Sequence, residues 1–222
     1  MRKLWPGLLS LVGAVLFSIW VYPRLPAEVV THWGADGQPN GWSSPLVACL
    51  VVPCIGLVLA VLFAVIPGID PRKESWAQHG ATYHVIANLV LAFLAGMQVL
   101  LLGQALGWGV PIPRVIMAAV GGLFMVLGLL MPSMRPNWFM GIRTPWTLSS
   151  DVVWRKTHLL GRTCFVLAGL LLVLTSFFSS ELAVGVILGA VAGAVITPVV
   201  YSWFAWRAEG SPAYPGRDAG GS

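Results

Sequence analysis

Charged residues are so sparse in this chain that the gaps between them constrain its fold more than any motif does. Six stretches free of Asp, Glu, Lys and Arg contain 20, 33, 39, 20, 18 and 25 residues. A helix needs about 20 apolar residues to cross the hydrocarbon core of a bilayer. The sequence therefore predicts six membrane-spanning helices, at residues 4–22, 46–67, 85–106, 115–131, 163–178 and 182–206.

Composition favours lipid over water as the main solvent of this chain. Hydrophobic residues make up 57% of it and charged residues 9%, whereas a soluble domain carries roughly a quarter charged residues. In lipid, backbone groups must be hydrogen-bonded within the span itself, and the alternating pattern of barrel strands is absent. The predicted fold class is all-α, a polytopic membrane protein, and the tail at 207–222 is predicted to be disordered.

Lys and Arg predict the orientation of the spans. With the N-terminus inside, 11 of the 13 basic residues lie on the cytoplasmic side, leaving Arg24 and Arg114 outside. The positive-inside rule then predicts both termini in the cytoplasm. The net charge of +5 reflects this bias and attraction to anionic lipids, so no direct nucleic-acid partner is expected. The first span is expected to stay uncleaved, because Val21-Tyr22-Pro23 is a poor signal-peptidase site.

Familiar catalytic and metal-binding motifs are absent from the sequence. There is no H-E-x-x-H, G-x-S-x-G or phosphate-binding loop. A metal site built from His79, His84 and His158 would need loop folding that the sequence does not indicate, so no metal or cofactor is predicted. The three cysteines fall inside predicted spans and are interpreted as packing residues. The 11 tryptophans fall in loops or near span ends, as an interfacial belt would.

Polar residues inside the spans leave two interpretations open. No charged residue lies deep in any span, which argues against ion-coupled transport. His84 and Asn88 share one helix face, and Gln98 lies further along the same span. They form either interhelical hydrogen bonds or a polar path. In the sixth span, three glycines four residues apart favour close helix packing, within one chain or between chains, at Gly185, Gly189 and Gly193.

The outer loop, residues 23–45, is predicted to be compact. It contains two turn dipeptides, Asp36-Gly37 and Asn40-Gly41, in which glycine tolerates a positive φ and Asp or Asn can bond its own backbone. Residues 27–33 could form a short helix or a strand.

The second cytoplasmic loop, residues 132–162, is called the signature segment here. Ser150 is predicted to cap a helix that leads directly into the fifth span, with Trp154 and its aliphatic neighbours Val152, Val153, Leu159 and Leu160 on the membrane surface. Arg143 lies between helix breakers, where its guanidinium could bind a phosphate, a carboxylate, backbone carbonyls or simply lipid headgroups.

Two ordered series of residues carry a family resemblance. In the signature segment they are Asn137, Gly141, Ile142, Arg143, Thr144, Trp146, Thr147, Leu148, Trp154, Thr157, His158 and Gly161. This series resembles the SdpI immunity-protein family of bacteria. The outer loop resembles a domain of unknown function that often precedes that family, through Leu25, Pro26, His32, Trp33, Gly37, Pro39, Asn40, Gly41 and Trp42.

The resemblance implies a multi-pass protein of the bacterial inner membrane, without enzymatic activity. It implies an N-terminal membrane domain at 1–67 and an SdpI-like membrane domain at 68–206. The family's namesake protects its producer from a secreted toxic peptide and sequesters a small cytoplasmic repressor. The expected partners are therefore the bilayer, a peptide toxin outside and a repressor inside, with the matching loop residues as binding candidates.

Two other functions stay open at this point. A small transporter or channel would need a polar path along His84, Asn88 and Gln98. A membrane enzyme acting on lipid or cell-wall precursors would use Arg143 to bind an anion and His158 as its acid or base.

Overall fold

Long helices dominate the structure, a computed structural model that describes residues 4–34, 36–72, 76–178 and 182–210. Six helices in these ranges are long and apolar enough to cross a membrane, which confirms the predicted all-α polytopic class. The orientation stays a prediction. In chain order the elements are α1 (Trp5–Val21), β1 (Val29–Trp33), β2 (Pro39–Ser43), α2 (Pro45–Ile69), α3 (Trp76–Ala105), α4 (Ile112–Leu130), α5 (Pro145–Ser149), α6 (Asp151–Thr175) and α7 (Leu182–Ala208).

The spanning helices form two groups. In the first, α1 and α2 pack against α3; in the second, α4 and α7 pack against α6. The antiparallel hairpin of β1 and β2 joins α1 to α2, and Val29 fixes it to the first group by packing beside Val21 and Leu102. Because each long helix crosses once, the hairpin and the signature segment lie at opposite ends of the helices.

Two prolines inside α2 are compensated by side chains of α3. A proline lacks an N–H, so Pro53 and Pro67 leave the carbonyls four residues earlier, those of Cys49 and Phe63, without a helical partner. Gln98 Nε2 lies 3.3 Å from the Cys49 oxygen, and it also reaches Ala48 O and Ser18 Oγ. Tyr83 donates its hydroxyl to Phe63 O at 2.8 Å. Orphaned carbonyls in lipid are costly, so these bonds specify how α2 packs on α3.

The Gln98 bond predicts a coupled pair of substitutions. Gln98→Leu should lower the free energy of unfolding by about 2 kcal/mol, because it leaves the buried Cys49 carbonyl unpaired. In a Pro53→Ala background the same change should cost less, because residue 53 regains an N–H that can bond Cys49 O. Detergent unfolding of the four proteins in this cycle measures the coupling. Equal costs of Gln98→Leu in both backgrounds would contradict it.

Glycines place α4 and α6 in backbone contact. A Cβ on Gly121 would lie 2.6 Å from the carbonyl oxygen of Gly169, and a Cβ on Gly128 would lie 2.9 Å from Phe165 Cβ. The glycines of α7 differ, because a Cβ on each would meet no described atom within 4 Å, as holds for Gly185, Gly189 and Gly193. They therefore do not pack α7 against the described part of its own chain.

The helix that leads into the fifth span is present, but its surroundings differ from the prediction. The hydroxyl of Ser150 accepts from Val153 N at 3.2 Å, which confirms the cap, and α6 runs unbroken from there. Val153 and Trp154 are 0% and 2% exposed, so placing them on the membrane surface was wrong. Trp154 is not part of the interfacial belt, because its indole N–H donates a hydrogen bond to Met134 O, 2.9 Å away, inside the protein.

Helix boundaries also differ elsewhere, as α3 and α7 illustrate. α3 begins at Trp76, nine residues before the predicted span, and α7 continues through Ala208. Arg207 is therefore helical, although it was predicted to begin the disordered tail. Residues 211–222 of that tail lie outside the described part of the chain.

Candidate functional site

Asn137 organises the start of the signature segment. Its side chain is fully buried, and the amide nitrogen donates to the carbonyls of Arg135 and Met140. The amide oxygen accepts from the backbone N–H groups of Phe139 and Met140, at 2.9 and 2.6 Å. One amide thus holds a tight turn with both donors and its acceptor, so Asn137 has a structural role here.

His158 closes the segment onto α6. Its ring is 1% exposed and stacks on Trp154, with ring centroids 4.2 Å apart. Nε2 accepts from Ile142 N at 3.1 Å, so Nδ1 must carry the proton that bonds Trp154 O at 2.8 Å. With both nitrogens engaged and the ring buried, His158 has no free nitrogen for acid–base chemistry on a substrate.

Two glycines make room for this closure. Gly141 has φ +94, in the left-handed region, and a Cβ there would overlap His158 Nε2. On α6, a Cβ at Gly161 would lie 2.6 Å from Ile142 Cδ1. Both glycines therefore let residues 141–142 lie directly on the helix.

Thr144 and Thr147 form a capping box around α5. Thr144 Oγ1 accepts from Thr147 N, while Thr147 Oγ1 accepts from Thr144 N at 2.8 Å. The Thr144 hydroxyl also lies 3.0 Å from Ser202 Oγ on α7. These bonds link the signature segment to the last helix. Trp146, the neighbouring candidate, lies half-buried on α5.

Asp70 belongs to the same assembly, although the sequence did not single it out. This carboxylate is fully buried at the end of α2, where it accepts from Arg72 N at 2.9 Å and Trp138 N at 3.3 Å. It thus joins the two helix groups through backbone donors. The sequence did contain a signal for this role, because Asp70 directly follows an apolar span and precedes Pro71. An Asp in such a turn often accepts a hydrogen bond from the backbone N–H two residues later.

Arg143 is the exposed charged residue of the signature series. Its Nη1 donates to the carbonyl of Trp138. One of the predicted contacts, that with a backbone carbonyl, is therefore present. The exposed guanidinium has further N–H groups that can bind other partners. A cavity of about 480 Å³ adjoins it, lined by Arg72, Trp138, Arg143, Thr144, Pro145, Leu148 and Ser149. The segment therefore has a buried, hydrogen-bonded interior and a basic outer surface.

The hairpin contains seven of the nine matching outer-loop residues. His32 Nδ1 bonds Asn40 Oδ1 across the strands, and a Cβ on Gly41 would lie 2.8 Å from His32 Cβ. Gly37 has φ +75 in the connecting turn. Pro26 precedes the hairpin and is exposed. Beneath the hairpin, an apolar cavity of about 450 Å³ is lined by side chains of α2, α3 and α4.

The polar residues of the third span make helix-to-helix bonds. Asn88 Oδ1 accepts from Gly7 N on α1 at 2.8 Å, and Gln98 bonds α1 and α2 as described above. The interhelical interpretation is thereby supported for both. Among the described residues, no group of three His, Cys, Asp or Glu side chains could hold a metal ion; the side chain of His79 lies outside them.

Comparison with known proteins places both loops within matched regions. Residues 133–202 match the SdpI/YfhL protein family, and residues 9–57 match a domain of unknown function (DUF1648). The chain is 26% identical over 192 residues to the Immunity protein SdpI of Bacillus subtilis (strain 168), covering 86% of this chain and 90% of that protein. No solved structure matches the chain significantly. The family resemblance seen in the sequence is confirmed.

Proposed function

We propose that this chain, which matches the SdpI/YfhL protein family over residues 133–202, is a membrane immunity protein that protects its cell against a secreted toxic peptide. The observation that carries this proposal is the similarity to Immunity protein SdpI over 86% of the chain. The family matches include the hairpin as well as the signature segment. The two regions that carry specific sequence therefore both have counterparts among known proteins.

Protection in this proposal works through binding and without covalent chemistry. The polar side-chain atoms of the buried residues Asn137, Thr147 and His158 form hydrogen bonds inside the protein. A catalytic group must reach its substrate, and these side chains face the fold instead. The exposed surfaces left for recognition are the hairpin at one end and the Trp138–Arg143 surface at the other.

The hairpin is the proposed toxin-binding surface. His32 and Asn40 are exposed there and hold each other across the two strands, so they present a fixed polar edge. Thr31, His32 and Trp33 also line the rim of the apolar cavity below. A toxic peptide that acts on membranes has apolar and polar parts, which suit this combination of an apolar cavity and a polar rim.

Hairpin substitutions test where the toxin binds. His32→Ala and Asn40→Ala should each lower the toxin concentration that kills half of the expressing cells by about tenfold, as loss of a binding hot spot does. Survival curves of a toxin-sensitive strain challenged with membrane-active peptide toxins provide the measurement, with membrane protein levels checked by blotting. Glu28→Gln, an exposed change beside the hairpin, is the control. No protection by the unaltered chain against any toxin of the panel would refute the proposal.

A cytoplasmic repressor is the proposed partner of the opposite surface. Trp138 is 47% exposed beside the exposed Arg143, and this aromatic–arginine combination is common at protein interfaces. A fluorescent fusion of a small repressor encoded beside this gene should move to the membrane when toxin is added. A repressor that stays in the cytoplasm under those conditions would remove this part of the proposal.

Transport is the main alternative, and the structure offers it little support. A transport path was expected to be lined by Asn88 and Gln98, but both side chains form hydrogen bonds between helices. In the proposed role the spans act as a scaffold that holds the two binding surfaces at opposite faces of the membrane.

A further inference from the structure

Two arginines in the first turns of α6 lie on one exposed face of that helix. Arg155, Leu159 and Arg162 are all exposed, and their spacing of four and then three residues places them on the same side. The two arginines are about 10 Å apart along the helix axis. We call these three residues the α6 arginine face. None of them belongs to the Trp138–Arg143 surface, and the immunity proposal assigns them no role.

The α6 arginine face is continuous with a side of α6 that faces lipid. Farther along the helix, Leu167, Leu170 and Leu174 are exposed within a segment apolar enough to span the membrane. Their positions relative to Leu159 place them on the same side of the helix. Leu159 therefore extends a lipid-facing stripe to the level of the two arginines.

Arg162 lies where the uncharged part of α6 begins. Residues 163–180 contain no Asp, Glu, Lys or Arg. The carbonyl of Arg162 packs beside Gly128, two residues before α4 ends. The arginine is therefore at the edge of the hydrocarbon core, where a charged side chain extends toward the lipid headgroups because hydrocarbon cannot solvate it.

Within the described ranges, neither arginine of this face forms an ion pair, a side-chain hydrogen bond or a ring contact. The two acidic side chains at this end of α6 and α7 are paired with other cations, Asp151 with Arg72 at 3.4 Å and Glu209 with Lys156 at 3.8 Å. Arg162 also has no acidic residue three or four positions away on either side. Each guanidinium thus keeps its charge and its five N–H donors available.

We infer that the α6 arginine face binds the phosphate of an anionic phospholipid headgroup. A guanidinium can donate two parallel N–H bonds to phosphate oxygens, and Leu159 between the arginines offers an apolar contact to the upper part of the acyl chains. Two unpaired positive charges favour a lipid with a net negative charge over a zwitterionic one. A lipid held there fixes the depth of α6 in the membrane, and with it the signature segment that His158 closes onto this helix.

Binding of defined lipids to the purified full chain tests the inference. Native mass spectrometry would be used with dioctanoyl phosphatidylglycerol, dioctanoyl phosphatidylcholine or inorganic phosphate as the probe. We expect selective binding of phosphatidylglycerol, weakened about fivefold by Arg155→Gln and by Arg162→Gln, as for one basic residue lost beside an anionic headgroup. Arg114→Gln removes an exposed charge near the start of α4, at the other end of the span. It serves as the control, with an expected change below about twofold.

Four results would overturn the inference. Equal weakening by Arg162→Gln and Arg114→Gln would show that binding depends on overall charge, and equal binding of both lipids would show that the headgroup charge is not recognised. Displacement of phosphatidylglycerol by inorganic phosphate at similar concentration would exclude a lipid as the specific ligand. Unchanged lipid binding by the double variant of Arg155→Gln and Arg162→Gln would exclude this face, and loss of repressor recruitment in that variant would then assign the face to the repressor. Matching unfolding temperatures of the lipid-free variants ensure that weaker binding reflects the lost arginines.

Discussion

Gly141→Ala is expected to lower the free energy of unfolding by about 3 kcal/mol or more, combining backbone strain with a lost buried hydrogen bond. The residue has φ +94, and the added Cβ would overlap Nε2 of His158. To avoid the overlap, His158 must move away from Ile142 N and from its stacking position on Trp154. One methyl group thus breaks the contact that closes the signature segment onto α6.

Unfolding by sodium dodecyl sulfate in mixed micelles measures this effect, and Gly107→Ala provides a matched control. Gly107 also has a positive φ, +81, but a Cβ there meets nothing within 4 Å. The control should cost only the strain of the left-handed conformation, about 1 kcal/mol. Equal costs for the two variants would mean that contact with His158 contributes nothing. In cells, Gly141→Ala should reduce both protein level and protection.

The spans were predictable because their signal is local and strong. Lipid requires long uninterrupted apolar stretches, and the charged residues that bound those stretches are visible in one pass along the sequence. The Ser150 cap was equally local, since its side chain bonds a backbone group three residues away. Each inference of this kind needed only a short window of sequence.

Contacts between distant residues explain what the sequence did not reveal. Asp70 bonds Trp138 across 68 positions, and nothing near Asp70 in the sequence indicates that partner. Trp154 was assigned to the interface by a rule that holds for most tryptophans, but the carbonyl of Met134 satisfies its indole inside the protein. Met134 lies 20 positions before Trp154, and nothing in the sequence indicates that its carbonyl lies beside the indole.

The contact between His158 and the backbone of Ile142 bears on what the family resemblance says about a binding site. Most of the matching polar residues of the signature segment are buried and hydrogen-bonded within the segment, including Asn137, Thr144, Thr147 and His158. Their residue types are needed to fold the segment, so their presence alone does not locate a binding site. The exposed side chain of Arg143 remains as a candidate for contacts with a partner.

Gly169→Ala is the second substitution for which a large effect is expected, a loss of about 3 kcal/mol in the free energy of unfolding, as for overpacking against rigid neighbours. Small residues let helix backbones approach closely in lipid, where packing is the main attraction between helices. A Cβ on Gly169 would overlap the carbonyl oxygen of Gly121 and lie 2.9 Å from Met125 N. These are backbone atoms of α4, which cannot rotate away as a side chain would. The helices must therefore separate, which weakens the packing of the second helix group.

Adjacent glycines of α4 provide the control for this prediction. Gly121 faces Gly169, whereas a Cβ on Gly122 would meet nothing within 4 Å. Gly121→Ala should destabilise the protein much as Gly169→Ala does. Gly122→Ala should be neutral or stabilising by about 0.5 kcal/mol, because alanine favours the helix over glycine. Mixed-micelle unfolding of the three variants orders these costs, and a Gly169→Ala cost as small as that of Gly122→Ala would show that α4 and α6 do not touch at their backbones.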